Sequence, residues 1–241
     1  MSTMPEGNLH TVVQSLTYSH VGQAIDSMRR SYDLAVSKNT GYEKMSAHQF
    51  AMSSIMHGFC FLESLVNDLG YKLLFNKDSD EYISEENRDF LLKKLASNWN
   101  MTRSVDKITF LLEKLDLDAM SEIQKQKIAE INNLRNILMH GSSYNTTMLL
   151  EPIGENSWEV HDQEDSVDWS KKFSANKFNS PVNLDYSDAK KCLETILNVC
   201  KQFYSKHSIG LSVSTSYPDG NYKAFYGEEI NFDELLQLPA K

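Results

Sequence analysis

Arg135, Asn136 and His140 lie close together in one stretch of the sequence, LRNILMHG (134–141). An arginine provides a fixed positive charge whose planar guanidinium fits a phosphate, and a histidine can accept or donate a proton near neutral pH. Together they suit attack of a ribose 2′-hydroxyl on its own phosphate, a reaction that needs an acid–base group and a cation but no metal. Asn136 would orient the histidine or the phosphate.

The spacing of these residues on a helix predicts a site that one chain leaves incomplete. Asn136 and His140 are four positions apart and share a helix face, whereas Arg135 and His140 are separated by about 140° around the helix. A second copy of the same helix lying opposite would supply the missing partner. We therefore expect a homodimer that forms through the motif helices. The helix dipole also favours a positive charge on a histidine at the C-terminal end.

A structural interpretation of the same residues stays open. Arginine and histidine recur at such distances by chance, so the bare spacing is weak evidence. Arg135 and Asn136 would then be surface polar residues, and His140 would only complement the helix dipole before a cap at Gly141. Spacing alone does not separate this interpretation from catalysis.

The segments that must position the motif are predicted to be mostly helices. Apolar residues that recur every three to five positions predict helices over 9–37, 43–75, 85–97, 104–115, 121–140 and 187–206. Ser121 is expected to cap the motif helix, and Asp185 or Ser187 the last one. Gly70 lies inside the second helix, where close packing would explain a residue that disfavours helices.

Two segments alternate and turn as β-hairpins do. The first is 148–162, and the second lies around Pro218-Asp219-Gly220. The two hairpins are expected to pair into one small sheet, while 163–185 is polar and irregular. The acidic segment 227–236 is predicted to be a solvated tail or a docking peptide for a partner.

Composition limits the classes of function. The chain has 241 residues and a formal net charge of −9, which argues against a broad, basic nucleic-acid-binding face but not against a local basic site. The three cysteines form no CxxC pair, which favours a reduced, cytoplasmic setting, and Cys192 and Cys200 are expected in the core. No apolar run has the length of about 18 residues needed to cross a membrane, so no membrane partner is expected.

The motif LRNILMHG resembles the R-N-x-x-x-H signature of the HEPN superfamily (higher eukaryotes and prokaryotes nucleotide-binding domains). Arg135, Asn136 and His140 occupy the signature positions. FCFLESLVNDL (59–69) resembles the second helix of such domains, and YSDAKKCLETILNVCKQF (186–203) resembles the last helix. The resemblance covers about 43–206. It departs from a minimal domain by an insert before the last helix and by additional sequence at both ends.

The resemblance implies a mainly α fold, a HEPN-like antiparallel helical bundle, to which the sequence pattern adds a β-hairpin insert and a β-hairpin tail. We expect a single domain over 1–241. Its parts would be an N-terminal helical extension (1–41), a core (42–206) that carries the insert 142–185, and a tail with a hairpin and acidic residues (207–241).

The resemblance also implies a metal-independent endoribonuclease that acts as a dimer with one composite cleft. No cofactor or metal is expected, and the partners would be an RNA substrate and an antitoxin or other defence protein. Such enzymes cut RNA in anti-phage defence or toxin–antitoxin systems. Because some members have lost activity, a non-catalytic binding or scaffold module, or a ligand sensor in a larger complex, is the alternative.

Residues outside the motif are weaker candidates. Glu63 lies on the preceding long helix and could support the motif, although an exposed or capping carboxylate is the simpler interpretation. Trp169, Lys171 and Lys172 could stack on bases and bind phosphates of single-stranded RNA. The alternative there is a surface lysine pair beside two anchoring aromatic residues, Trp169 and Phe173.

Overall fold

The computed structural model describes residues 16–37, 41–74, 99, 102–140, 149–155, 157–161, 174–206, 210–215, 222–226 and 232–238. Within these residues the elements are, in chain order, α1 (Thr17–Val36), α2 (Gly41–Leu74), α3 (Ser104–Lys114), α4 (Glu122–His140), β1 (Leu149–Gly154), β2 (Ser157–His161), α5 (Tyr186–Lys206), β3 (Gly210–Ser214), β4 (Tyr222–Tyr226) and α6 (Phe232–Leu235). The predicted mainly α class is therefore confirmed.

The predicted helices agree closely with those observed. Helices α2, α3, α4 and α5 match the predicted 43–75, 104–115, 121–140 and 187–206 within two residues at each end. Helix α1 begins at Thr17, and the earlier part of the predicted 9–37 lies outside the described residues. The predicted helix 85–97 also lies outside them.

Helix α2 is the centre of the core, since it contacts α1, α3, α4 and α5. Its apolar stripe is wide because neighbours cover it on several sides. A Cβ at Gly70 would overlap the indole ring of Trp99, and one at Gly58 would lie 3.0 Å from Leu193 Cδ2. Close packing therefore explains Gly70. Cys192 and Cys200 are buried, as predicted.

Side-chain caps fix where α4 and α5 begin. The backbone N–H of Gln124 donates to Ser121 Oγ (3.3 Å), and the backbone N–H of Ser121 donates to Gln124 Oε1 (2.8 Å). At the start of α5, the Asp188 backbone N–H donates to Asp185 Oδ1 (3.3 Å), and the Asp185 backbone N–H donates to Asp188 Oδ2 (3.1 Å). These caps satisfy amide groups that a helix start leaves without partners. Asp185, rather than Ser187, is the cap.

The two predicted hairpins form, but they do not join into one sheet. In the described ranges β1 pairs only with β2, and β3 only with β4, each antiparallel. The expectation of a shared sheet was wrong because turn residues specify a hairpin and leave the partner of its outer edges undetermined. Instead, β3 lies against α1, and Val213 of β3 is buried.

The C-terminal segment differs from the predicted solvated tail. Phe232, Leu235 and Leu236 are buried at α6, and the Leu235 carbonyl accepts a hydrogen bond from Arg29 Nη2 (3.3 Å). The acidic residues of this turn are exposed, but the apolar residues share its other side. The prediction was based on the negative charge of the segment and neglected the spacing of its apolar residues. No described helix is both long and apolar enough to cross a bilayer.

Candidate active site

Helix α4 divides into a buried face and an exposed face. Ile128, Ile131 and Leu134 lie in the core, and the opposite side faces solvent. Arg135 lies between these faces, on the side of α2. His140, the last residue of α4, is exposed. The helix thus directs the arginine towards a neighbouring helix and leaves the histidine accessible.

The Arg135 guanidinium is held by three groups. Its Nη2 lies 2.6 Å from Glu63 Oε2, and its Nη1 donates to Asn136 Oδ1 at 2.8 Å. The Cζ atom lies 5.3 Å from the centroid of the Phe59 ring. The Arg135 side chain is 21% exposed and that of Glu63 is 34% exposed, so this ion pair is partly buried. The Arg135 Nε is buried and has no hydrogen-bond partner among the described residues.

Glu63 is flanked by a second cation. Ser104 Oγ donates to Glu63 Oε1 (3.3 Å), and nearby Lys107 donates to Asn67 Oδ1 (2.9 Å). Burial lowers the pKa of Lys107, and the negative charge of Glu63 partly opposes that shift. Because Arg135 and Lys107 both act on one carboxylate, the cluster carries an excess of positive charge.

Cys60 is close to the same ion pair. Burial raises the pKa of its thiol; the positive charge of Arg135 opposes this shift and the charge of Glu63 adds to it. The thiol is therefore protonated at neutral pH and is a poor nucleophile.

The structure brings Arg135, Asn136 and Glu63 together but does not join them to His140. Within the described ranges, His140 makes no hydrogen bond or ion pair with another residue, and Asn136 bonds to Arg135. A single chain thus presents an anchored guanidinium and a separate, accessible imidazole. The predicted RNA-binding residues Trp169, Lys171 and Lys172 lie outside the described residues.

Sequence reasoning missed a buried carboxylate on the same helix. Glu130 accepts hydrogen bonds from the Ala175 N–H (3.1 Å), the Asn176 N–H (2.9 Å), the Asn176 Nδ2 (2.8 Å) and the Gln126 Nε2 (3.1 Å). Asn176 Nδ2 also donates to the Lys127 carbonyl (2.9 Å). These bonds fasten the C-terminal part of the insert to the motif helix. A glutamate at a core-facing position of α4 was the available signal.

A histidine pair was also missed. His20 Nδ1 lies 3.2 Å from His57 Nδ1, between α1 and α2, so that one ring donates its proton to the other. Burial lowers the pKa of His57, and the nearby His20 lowers it further. Nothing in the sequence indicates this pair, because the contact depends on how α1 packs on α2. Among the residues the structure describes, no three His, Cys, Asp or Glu side chains form a cluster that could hold a metal ion.

Comparison with known proteins identifies no relative of this chain. No family model, no curated protein and no solved structure matches the chain. The functional argument therefore rests on the site itself and on the resemblance of the motif.

Proposed function

We propose that this chain is a metal-independent endoribonuclease of HEPN type that acts as a homodimer. The observation that carries the proposal is the anchored Arg135 guanidinium on the same helix as the exposed His140. A guanidinium held by Glu63 and Asn136 is preorganised for a phosphate, and preorganisation reduces the reorganisation needed in the transition state. His140, which has no partner among the residues that the structure describes, is available for proton transfer.

In the proposed reaction, the ribose 2′-oxygen attacks the adjacent phosphorus and the bond from phosphorus to the 5′-oxygen breaks. His140 accepts the proton of the 2′-hydroxyl, and the departing 5′-oxygen receives a proton from the His140 of the second copy. Arg135 stabilises the negative charge on the phosphate oxygens, and Glu63 and Asn136 position Arg135. The products are a 2′,3′-cyclic phosphate and a 5′-hydroxyl.

The geometry of α4 supports the homodimer. Arg135 and His140 are about 140° apart around the helix axis, so two antiparallel copies would place each arginine nearer to the histidine of the other. Met139 is 55% exposed beside His140 and offers apolar surface for such a contact. We propose a cytoplasmic role in anti-phage defence or a toxin–antitoxin system, with an antitoxin or other defence protein as partner.

One observation favours a second candidate function, a non-catalytic binding or scaffold module or a ligand sensor. Glu63 already neutralises Arg135, as it would in an ion pair that only joins α2 to α4. In that case the guanidinium needs no phosphate, and the exposed His140 is an ordinary surface residue.

Expression in a bacterial host separates the two candidates. The wild-type protein is expected to arrest growth and to fragment total RNA, whereas Arg135→Ala should be tolerated. Lys127→Ala, a change of another cation on α4 that does not line the site, is the matched control and should still arrest growth. Normal growth and intact RNA with the wild-type protein would favour the binding module.

A further inference from the structure

An open hollow lies between the start of α3 and the first three turns of α4. Its volume is about 620 Å³, which is within the range of small-ligand sites. The polar side chains that line it include Arg103, Ser104, Lys125, Gln126, Asn132 and Asn133. We call this the α3–α4 hollow.

The amides of Asn132 and Asn133 are available to a ligand. Neither side chain makes a hydrogen bond with any residue that the structure describes, and Asn133 is exposed. Each amide can donate two hydrogen bonds and accept others. Side-chain amides are the groups that pair with the edges of nucleobases, above all of adenine.

The hollow is continuous with the candidate active site. Gln126, Ala129, Asn133, Asn136 and His140 recur at intervals of three and four, so they form one stripe along the exposed side of α4. Ser104, which lines the hollow, also donates a hydrogen bond to Glu63, the partner of Arg135. A chain of nucleotides in the hollow would therefore lead directly to the motif.

The charge of the lining is balanced. The α3–α4 hollow has two cations, and each is paired with a carboxylate, Arg103 with Asp106 (2.7 Å) and Lys125 with Glu122 (2.7 Å). A second hollow of about 680 Å³ between α5 and α6 has one lysine against three carboxylates. Of these two hollows, the first therefore has less negative charge to repel a phosphodiester backbone.

We propose that the α3–α4 hollow binds unpaired RNA nucleotides next to the phosphate that is cut, and that Asn132 and Asn133 recognise their bases. This inference rests on the proposed function, whose substrate preference it would explain. Bases that are already paired would not present these edges in a shallow hollow, so single-stranded RNA is the expected ligand.

The test measures binding and cleavage separately. Fluorescence anisotropy would follow labelled 12-nucleotide A, C and U oligomers bound to His140→Ala protein, which is not expected to cut them. Adding Asn132→Ala and Asn133→Ala together should weaken binding of the preferred oligomer about tenfold and should reduce the differences in affinity among the oligomers. Both changes favour helix formation. Asn198→Ala, at an exposed position of α5, is the matched control and should have no effect.

The outcomes distinguish this inference from the proposed function. If wild-type protein cuts RNA but the double change alters neither binding nor base preference, the hollow proposal is wrong and the nuclease proposal stands. If binding depends on the two asparagines but no RNA is cut, base recognition by the hollow stands and the nuclease proposal is wrong. If the double change instead dissociates a dimer of the free protein, the hollow is a protein interface and the RNA proposal is overturned.

Discussion

Glu63 and Glu130 both fasten α4 to its surroundings, but they do so in opposite environments. Glu130 is 3% exposed, and four hydrogen-bond donors surround its carboxylate. The Glu63 side chain is 34% exposed and shares a partly exposed ion pair with Arg135. One carboxylate is held where water cannot replace its partners, and the other is accessible to water and to a ligand.

This difference suggests separate roles for the two carboxylates, stability for Glu130 and the proposed chemistry for Glu63. Removing a buried, fully bonded carboxylate leaves backbone amides without partners, which strongly disfavours the fold. An ion pair near the surface contributes little to stability because water screens it. The Glu63–Arg135 pair is thus better suited to orient a guanidinium than to hold α2 and α4 together.

The largest expected effect follows from breaking the buried contact. Glu130→Ala removes the acceptor for the Ala175 and Asn176 amides, so we expect the free energy of unfolding to fall by about 3 kcal/mol or more. Urea denaturation followed by circular dichroism would measure it. Glu122→Gln, on the same helix but exposed, should change stability by less than about 0.5 kcal/mol. Equal effects of the two changes would contradict the proposed clamp.

Glu63→Gln should show the reverse pattern. We expect a change in unfolding free energy of less than about 1 kcal/mol, since the ion pair is partly exposed. RNA cleavage should fall by about tenfold to a hundredfold in kcat, because the guanidinium loses its fixed position. Glu63→Asp should restore part of the activity. A large loss of stability with unchanged kcat would assign this pair to structure alone.

A smaller effect concerns pH and the contact between α1 and α2. Because the pKa of His57 is lower in the folded state than in the unfolded chain, protonation favours unfolding. The contribution of neutral His57 to the free energy of unfolding should therefore be fully present above the unfolded pKa, about 6.5. It should decrease as the pH falls below that value. Thermal unfolding of His57→Gln should depend less on pH over this range. Asn198→Ala, the control at an exposed position of α5, should retain the wild-type dependence, and equal flattening in both would contradict the assignment.

The sequence was sufficient for features that depend on neighbouring residues. Apolar periodicity predicts α2, α4 and α5, and turn residues predict both hairpins. Ser121 marks one helix start, while the sequence left the start of α5 open between Asp185 and Ser187. Contacts between distant segments were not predictable. The bonds from Asn176 to Glu130 join residues that are 46 positions apart, and they depend on how an irregular segment docks on α4.

The candidate site shows the same limit. The sequence could place Arg135 and His140 on one helix and Glu63 on another, but the hydrogen bond between Arg135 and Glu63 depends on the rotation of α2 against α4. The α3–α4 hollow could not be predicted either, because its lining comes from two helices whose packing no local pattern specifies.

The most direct test of the central claim is cleavage of a mixed RNA pool by purified protein in the presence of EDTA. The account predicts that the wild-type protein cuts the pool and leaves 2′,3′-cyclic phosphate ends, and that His140→Ala lowers the rate by about a hundredfold or more. Asn198→Ala should cut like the wild type. No cleavage by the wild-type protein, or equal cleavage by His140→Ala, would contradict the assignment of His140 as the acid–base group.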